Sequence, residues 1–259
     1  MKKAKDKFWL WGHEAGVHNA YVKLGGTSRM TPMEAACYMG VDNLVMVNFT
    51  GQSIPPFDQL ALSFSPLKRV VWSIVGAACN SNLYLDEVLR LSHKFPNING
   101  GIMDDFFKVK YIPDDYARYS VDEVKGFKSK LGNKDLWMVL YDYQLDFPVS
   151  DYLEHVDVVN FWTWRSENLK KLEANWEKLL AAAPGKRIVM GCYMWDYGDH
   201  RNIDIKTMRR QCEFYLDLLK AGKIEGIVFL ATCICDLGLE SVEWTRQWIR
   251  DVGKTKLAE

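Results

Sequence analysis

Apolar residues recur along the chain in two rhythms. Short continuous runs at 8–12, 44–49, 69–75, 136–142, 156–164, 187–193 and 224–231 have the length and the Val, Ile, Phe and Trp content of strands buried on both faces. An eighth run, Gly100 to Met103, passes straight into Asp104, Asp105, Phe106 and Phe107. Between the runs lie segments with helical spacing, at 57–64, 83–94, 149–155, 166–183, 204–220 and 239–252, and two more with explicit start signals. Thr31-Pro32-Met33-Glu34 supplies an N-cap, a proline at the first helical position and a glutamate at the third, with Gly40 as the stop; Ser120-Val121-Asp122-Glu123 repeats the capping box, with Gly132 as its stop. Strands and helices thus alternate eight times, and no Asn-Gly hairpin signal separates neighbouring strands.

This alternation predicts an α/β fold of one domain, residues 1–259, closed as a (β/α)8 TIM barrel, for which about 250 residues is the usual length. A doubly wound sheet would want a glycine-rich phosphate turn after its first strand, and Gly12-His13-Glu14 is not one. Lys plus Arg and Asp plus Glu number 33 each, so the formal charge is zero and the chain has no electrostatic footprint for nucleic acid or an anionic membrane. No apolar run is long enough to span a bilayer, and Phe8 to Trp11 is too short for the core of a signal peptide. The six cysteines (Cys37, Cys79, Cys192, Cys212, Cys233 and Cys235) follow no framework spacing and read as reduced thiols of a cytoplasmic protein; loss of a leader would place the same chain in the periplasm or outside the cell. Charges along 166–183 read as a solvated surface, consistent with a monomer or homodimer.

In such barrels the chemistry sits at the C-terminal ends of the strands. Those ends offer His13 and Glu14, Asn48, Asp104 and Asp105, Tyr141 and Asp142, Asn160, Trp162 and Trp164, and Tyr193, Trp195 and Asp196. Acids, amides and indoles converging on one mouth suit a small-molecule carbohydrate, whose C–H faces stack on tryptophan while its hydroxyls bond to Asp and Asn. Five scattered histidines and a lone Cys233-Ile234-Cys235 give no metal-ligand set, no Gly-x-Ser-x-Gly elbow appears, and the pattern requires neither metal nor cofactor. Asp104 and Asp105 are the catalytic candidates, because adjacent carboxyls repel and raise the pKa of one of them, which keeps an acid protonated for proton transfer. The alternative is that they only cap a following helix. Consecutive strand residues face opposite ways, so both acids reach one substrate only if the strand ends or bulges between them.

The Ile102-Met103-Asp104-Asp105-Phe106 stretch resembles the Asp-Asp motif of the family-84 β-N-acetylglucosaminidases, with Tyr141, Asn160, Trp162 and Asp196 as matches to the pocket residues that follow later strands. The resemblance covers this motif and the general layout. It implies hydrolysis of an N-acetylhexosaminide with retention, the substrate's own acetamido oxygen attacking the anomeric carbon, Asp104 orienting the acetamido group and Asp105 protonating the leaving oxygen. A two-carboxylate glycosidase would instead need Asp142, Asp196 or Glu14 as the partner of Asp105. Two other classes stay open: a non-catalytic sugar-binding barrel, and a sugar isomerase or epimerase using His13 with Glu14.

Overall fold

The computed structural model describes residues 2–20, 24–49, 54–76 and 81–257; Cys79 lies outside the described residues. In chain order the elements are β1 (Phe8–Gly12), α1 (Pro32–Met39), β2 (Asn43–Met46), α2 (Asp58–Ser63), β3 (Arg69–Val75), α3 (Ser81–Lys94), β4 (Ile98–Met103), α4 (Val121–Leu131), β5 (Asp135–Tyr141), α5 (Ser150–Leu153), β6 (Val158–Trp162), α6 (Leu172–Ala182), β7 (Arg187–Tyr193), α7 (Ile205–Lys220), β8 (Gly226–Leu230) and α8 (Glu240–Val252). The eight strands pair in parallel, each with its sequence neighbour, and β8 returns to β1 through Phe8–Ile227 to Trp11–Leu230, so the sheet closes as a single (β/α)8 barrel. No helix among the described residues is long and apolar enough to cross a membrane.

Local chemistry sets the helix starts. Thr31 Oγ1 accepts the Glu34 N–H while the Glu34 carboxylate accepts the Thr31 N–H, and Ser120 and Glu123 repeat the exchange ahead of α4. Asp204 caps α7 through Thr207 N at 2.9 Å. Near the N-terminal end of the barrel the indoles of Trp9 and Trp137 meet edge to face at 5.0 Å, with Arg69 over Trp9 and Arg187 paired to Asp135. Higher up, Trp162 packs edge-on against Trp11 at 5.3 Å and beside Tyr193 at 4.7 Å. Its ring occupies the space over Gly191, where a β-carbon would come within 1.9 Å of it.

Several boundaries differ from the sequence reading. Strand β2 stops at Met46 rather than Phe49, β6 is trimmed to Val158–Trp162, and β5 ends at Tyr141, leaving Asp142 to open a short 3-10 turn. The helix expected over 166–183 begins as a 3-10 segment, Ser166–Lys171, before turning α-helical. β1, β3 and β7 keep the bounds read from sequence, whereas at the end of β2 burial outlasts the ladder: Val47 and Asn48 are about 1% exposed without belonging to the strand.

Candidate active site

Strand β4 carries the acids to the mouth. Gly100 and Gly101 let it lie close between its neighbours, since a β-carbon at Gly100 would stand 2.7 Å from the Asp135 carbonyl. Regular pairing ends at Met103; Asp104 N still donates to Val75 O at 2.8 Å, and Asp105 then turns to a left-handed φ of 46°. Aspartate tolerates that region better than most non-glycine residues. The strand has therefore ended before Asp104, the chain turns at Asp105, and both acids line the same cavity, so the opposite-face alternation of a strand does not separate them. Phe106 and Phe107 are buried behind the turn, and Arg118 Nε holds the Asp105 carbonyl at 2.6 Å.

Asp104 is 7% exposed, and its Oδ1 accepts the Asp105 N–H at 2.9 Å. Burial, reinforced by the charge of Asp105 and opposed by the Arg118 guanidinium, drives its carboxyl well above the ordinary carboxylate range. Tyr141, at the end of β5, donates from its hydroxyl to Asp105 Oδ1 at 2.9 Å. Its position is fixed from behind: Tyr141 N donates to Gln144 Oε1, and Gln144 Nε2 donates to the Phe107 carbonyl, so one buried amide ties the end of β5 to the acid turn. Burial first and the charge of Asp105 second push the Tyr141 and Tyr193 phenols well above their usual value, so both stay protonated donors.

The opposite wall is imidazole and indole. His13 Nε2 accepts from Trp11 Nε1 at 3.1 Å and Nδ1 faces the Val47 carbonyl at 3.3 Å, an arrangement that places the proton on Nδ1 and uses both nitrogens. Burial, with His18 nearby, lowers the His13 pKa far below its ordinary value, and burial lowers that of His18 to about 4. Both rings are neutral at physiological pH, and their centroids lie 4.7 Å apart. With both nitrogens engaged, His13 is a wall rather than a base. Among the described residues no three His, Cys, Asp or Glu side chains gather to hold a metal ion, and the five described cysteines are all free.

The cavity between these walls has a volume of about 310 Å3. Of the residues expected at the site, the structure brings His13, Asp104, Asp105, Tyr141, Trp164 and Tyr193 to its wall. The others stand outside that lining. Trp162 lies beneath it, with its indole N–H donated to Asn160 Oδ1 at 2.9 Å and Asn160 Nδ2 in turn bonded to the Val189 carbonyl. Asn48 meets Ser73 Oγ and Trp72 Nε1. Asp142 accepts from Trp164 N and Asn168 Nδ2, and Asp196 accepts from Ser166 N and Asp199 N, so both brace mouth loops. Trp195 is buried, and Glu14 has both carboxylate oxygens buried without a hydrogen-bond partner among the described residues. Trp11, Phe49, Tyr197, Gly198 and Leu230 complete the wall together with His18 and His200. The signal for Tyr197 was its place in the polar-aromatic run after β7; Trp11 was masked by sitting inside a strand.

Fold and site together define a (β/α)8 barrel with an acid pair at the end of its fourth strand. No family model matches the sequence, and no curated protein sequence matches it. Solved structures do. Active domain 2 of a chitinase from Pyrococcus furiosus is similar at a TM-score of 0.62 with 11% identity, over 97% of each chain. A GH113 β-mannanase from Alicyclobacillus acidocaldarius is similar at 0.52 and 10%, over 97% of this chain and 98% of that one. A probable 2-pyrone-4,6-dicarboxylic acid hydrolase from Acinetobacter baumannii is similar at 0.56 and 9%, over 95% and 91%. What is shared at these identities is the barrel, a fold that glycosidases and other enzymes have in common.

Proposed function

We propose that the chain is a glycoside hydrolase acting on a small N-acetylhexosaminide, with the substrate's own acetamido oxygen as nucleophile. The observation that carries this reading is the composition of the cavity wall: Asp104 and Asp105 are its only carboxyls among the described residues, and they project from a single turn. Of the residues outside the described ones, only Glu259 carries a carboxylate side chain. A two-carboxylate mechanism needs acids on both sides of the sugar ring, whether about 5 Å or about 6.5–9.5 Å apart. Asp142 and Asp196 are engaged elsewhere as loop braces, Glu14 does not line the cavity, and two neighbours on one turn reach the ring from one side only. A nucleophile delivered by the substrate removes the need for the missing acid.

Placement separates the two roles. Asp104 faces only the inner cavity, where it suits the acetamido N–H. Asp105 lines both this cavity and the groove outside it, which is where the scissile oxygen of a bound glycoside would lie. Burial, with the charge of Asp105 beside it, favours the protonated form of Asp104. An acetamido N–H donated to Asp104 stabilises its ionised form and leaves the proton on Asp105, the second oxygen of which is not used by Tyr141.

The test is hydrolysis of para-nitrophenyl and alkyl glycosides, N-acetylated and plain, by wild type and Asp105→Asn. Turnover confined to N-acetylated substrates is expected, with the variant losing roughly 10²- to 10⁴-fold on alkyl leaving groups and less on the readily departing nitrophenolate. Comparable turnover of plain glycosides would overturn the substrate-assisted mechanism. No turnover at all, with a melting temperature raised by free N-acetylhexosamine, would make the barrel a sugar-binding module.

A further inference from the structure

Beyond the inner cavity, and continuous with it through Asp105, Tyr141 and Trp164, runs a groove of about 920 Å3. Its wall carries four cations, Lys108, Lys110, Arg118 and Arg165, against one carboxylate, Asp105. Such a concentration departs from a chain in which 33 cations balance 33 anions. Two of the four have carboxylate partners outside the groove wall, Lys108 with Asp115 and Arg165 with Asp199 at 3.4 Å. Arg118 commits Nε to the Asp105 carbonyl, and among the described residues no carboxylate forms an ion pair with Arg118 or Lys110. Both are exposed. A positive field with low-dielectric walls concentrates anions, and guanidinium and ammonium groups bind carboxylate or sulfate through charge-assisted hydrogen bonds.

The groove also offers ring surface. Tyr143 stacks on Tyr141 with centroids 5.3 Å apart, and Trp164 meets Tyr141 edge-on at 5.4 Å. Aromatic faces beside Lys110 suit a sugar that carries a negative charge better than a neutral one, since a neutral ring would leave the Lys110 ammonium without a carboxylate among the described residues, whereas Arg118 already faces the acid pair.

We propose that this groove receives the leaving-group side of an acidic saccharide, a glycan whose residue beyond the scissile bond carries a carboxylate or sulfate. The inference rests on the inner cavity being the site that holds the N-acetylated sugar.

The experiment uses three disaccharides with N-acetylglucosamine at the non-reducing end, β-linked to glucuronate, to the methyl ester of that glucuronate, or to a sulfated N-acetylglucosamine. Turnover and calorimetric binding are measured for wild type, Lys110→Gln and Lys110→Arg. The acid or the sulfate is expected to bind roughly tenfold more tightly than the ester, as one charge-assisted bond allows. Lys110→Gln erases much of that preference without changing the ester, and Lys110→Arg keeps it. The larger preference identifies which anion the groove takes. Equal affinity for ester, acid and sulfate, with hydrolysis intact, overturns the inference and spares the hydrolytic reading. An anion preference that is lost in Lys110→Gln, in a protein that hydrolyses none of the three, supports the groove and retires hydrolysis instead.

Discussion

Tyr141→Phe isolates the one hydrogen bond that an aromatic side chain makes to the acid pair. Phenylalanine keeps the ring that stacks on Tyr143 and meets Trp164, and Gln144 still holds the backbone N–H, so the change removes one hydroxyl from a buried position. That hydroxyl donates to Asp105 Oδ1 at 2.9 Å and also meets the Tyr193 side chain. A hydrogen bond to a charged group contributes about 1.5–3 kcal/mol. If that bond serves the transition state, kcat/KM falls by roughly 10- to 150-fold, since each 1.4 kcal/mol is about a factor of ten. Stability changes far less, because the half-buried Asp105 regains water in place of the phenol. The assay is kcat/KM for para-nitrophenyl N-acetyl-β-glucosaminide, with melting temperature as the control. A loss below about twofold would show that Tyr141 only fills space; a large loss matched by a large drop in melting temperature would show that the ring, not the bond, was disturbed.

Two further outcomes follow from the same geometry. Asp104→Asn keeps an oxygen for the Asp105 N–H and removes a buried acid whose folded pKa is raised. Below the ordinary value of 3.8 both states of the wild type are protonated and the two proteins are equally affected; as pH rises past it the unfolded wild type releases its proton first, so wild-type stability falls relative to the variant. Urea unfolding at stepped pH should show the variant gaining on wild type toward neutrality while activity is lost, and a pH-independent difference would refute the burial argument. Gly191→Ala places a β-carbon 1.9 Å from Trp162 and forces the indole off Asn160, at a cost of about 1–3 kcal/mol from overpacking. Each kcal/mol lowers the melting temperature by roughly 2–4 °C, and Trp162→Leu in the same chain should recover part of the loss, a coupling that independent sites would not show.

The barrel was legible because each strand is a run of apolar residues buried on both faces and each helix carries its own start and stop, as at Thr31 and Ser120. The ends of strands were less legible. Val47, Asn48 and Thr163 are nearly as buried as the strand residues before them, so burial continued where pairing had stopped. The same blurring affected the site. A residue type at a strand end says that a side chain is near the mouth, but not whether it points into the cavity or into a loop. Asp142 and Asp196 read as ligands for sugar hydroxyls and are instead acceptors for backbone amides of neighbouring loops.

Trp162 shows the limit most clearly. Alternation with Trp164 suggested two indoles on one face, and the structure separates them: Trp164 lines both compartments, while Trp162 lies below the cavity over Gly191. The glycine that admits Trp162 is on another strand, 29 residues away from it in number, and paired with it across the β6–β7 ladder. Nothing local to either residue announces the pairing. Register alone brings them together, and register is set by closure of the whole barrel. The acid pair was the reverse case, because adjacency is a local fact. Two carboxyls in sequence had to share one environment, and the only question left was whether strand alternation would split them; β4 ends at Met103 and the φ of 46° at Asp105 turns the chain, so it does not.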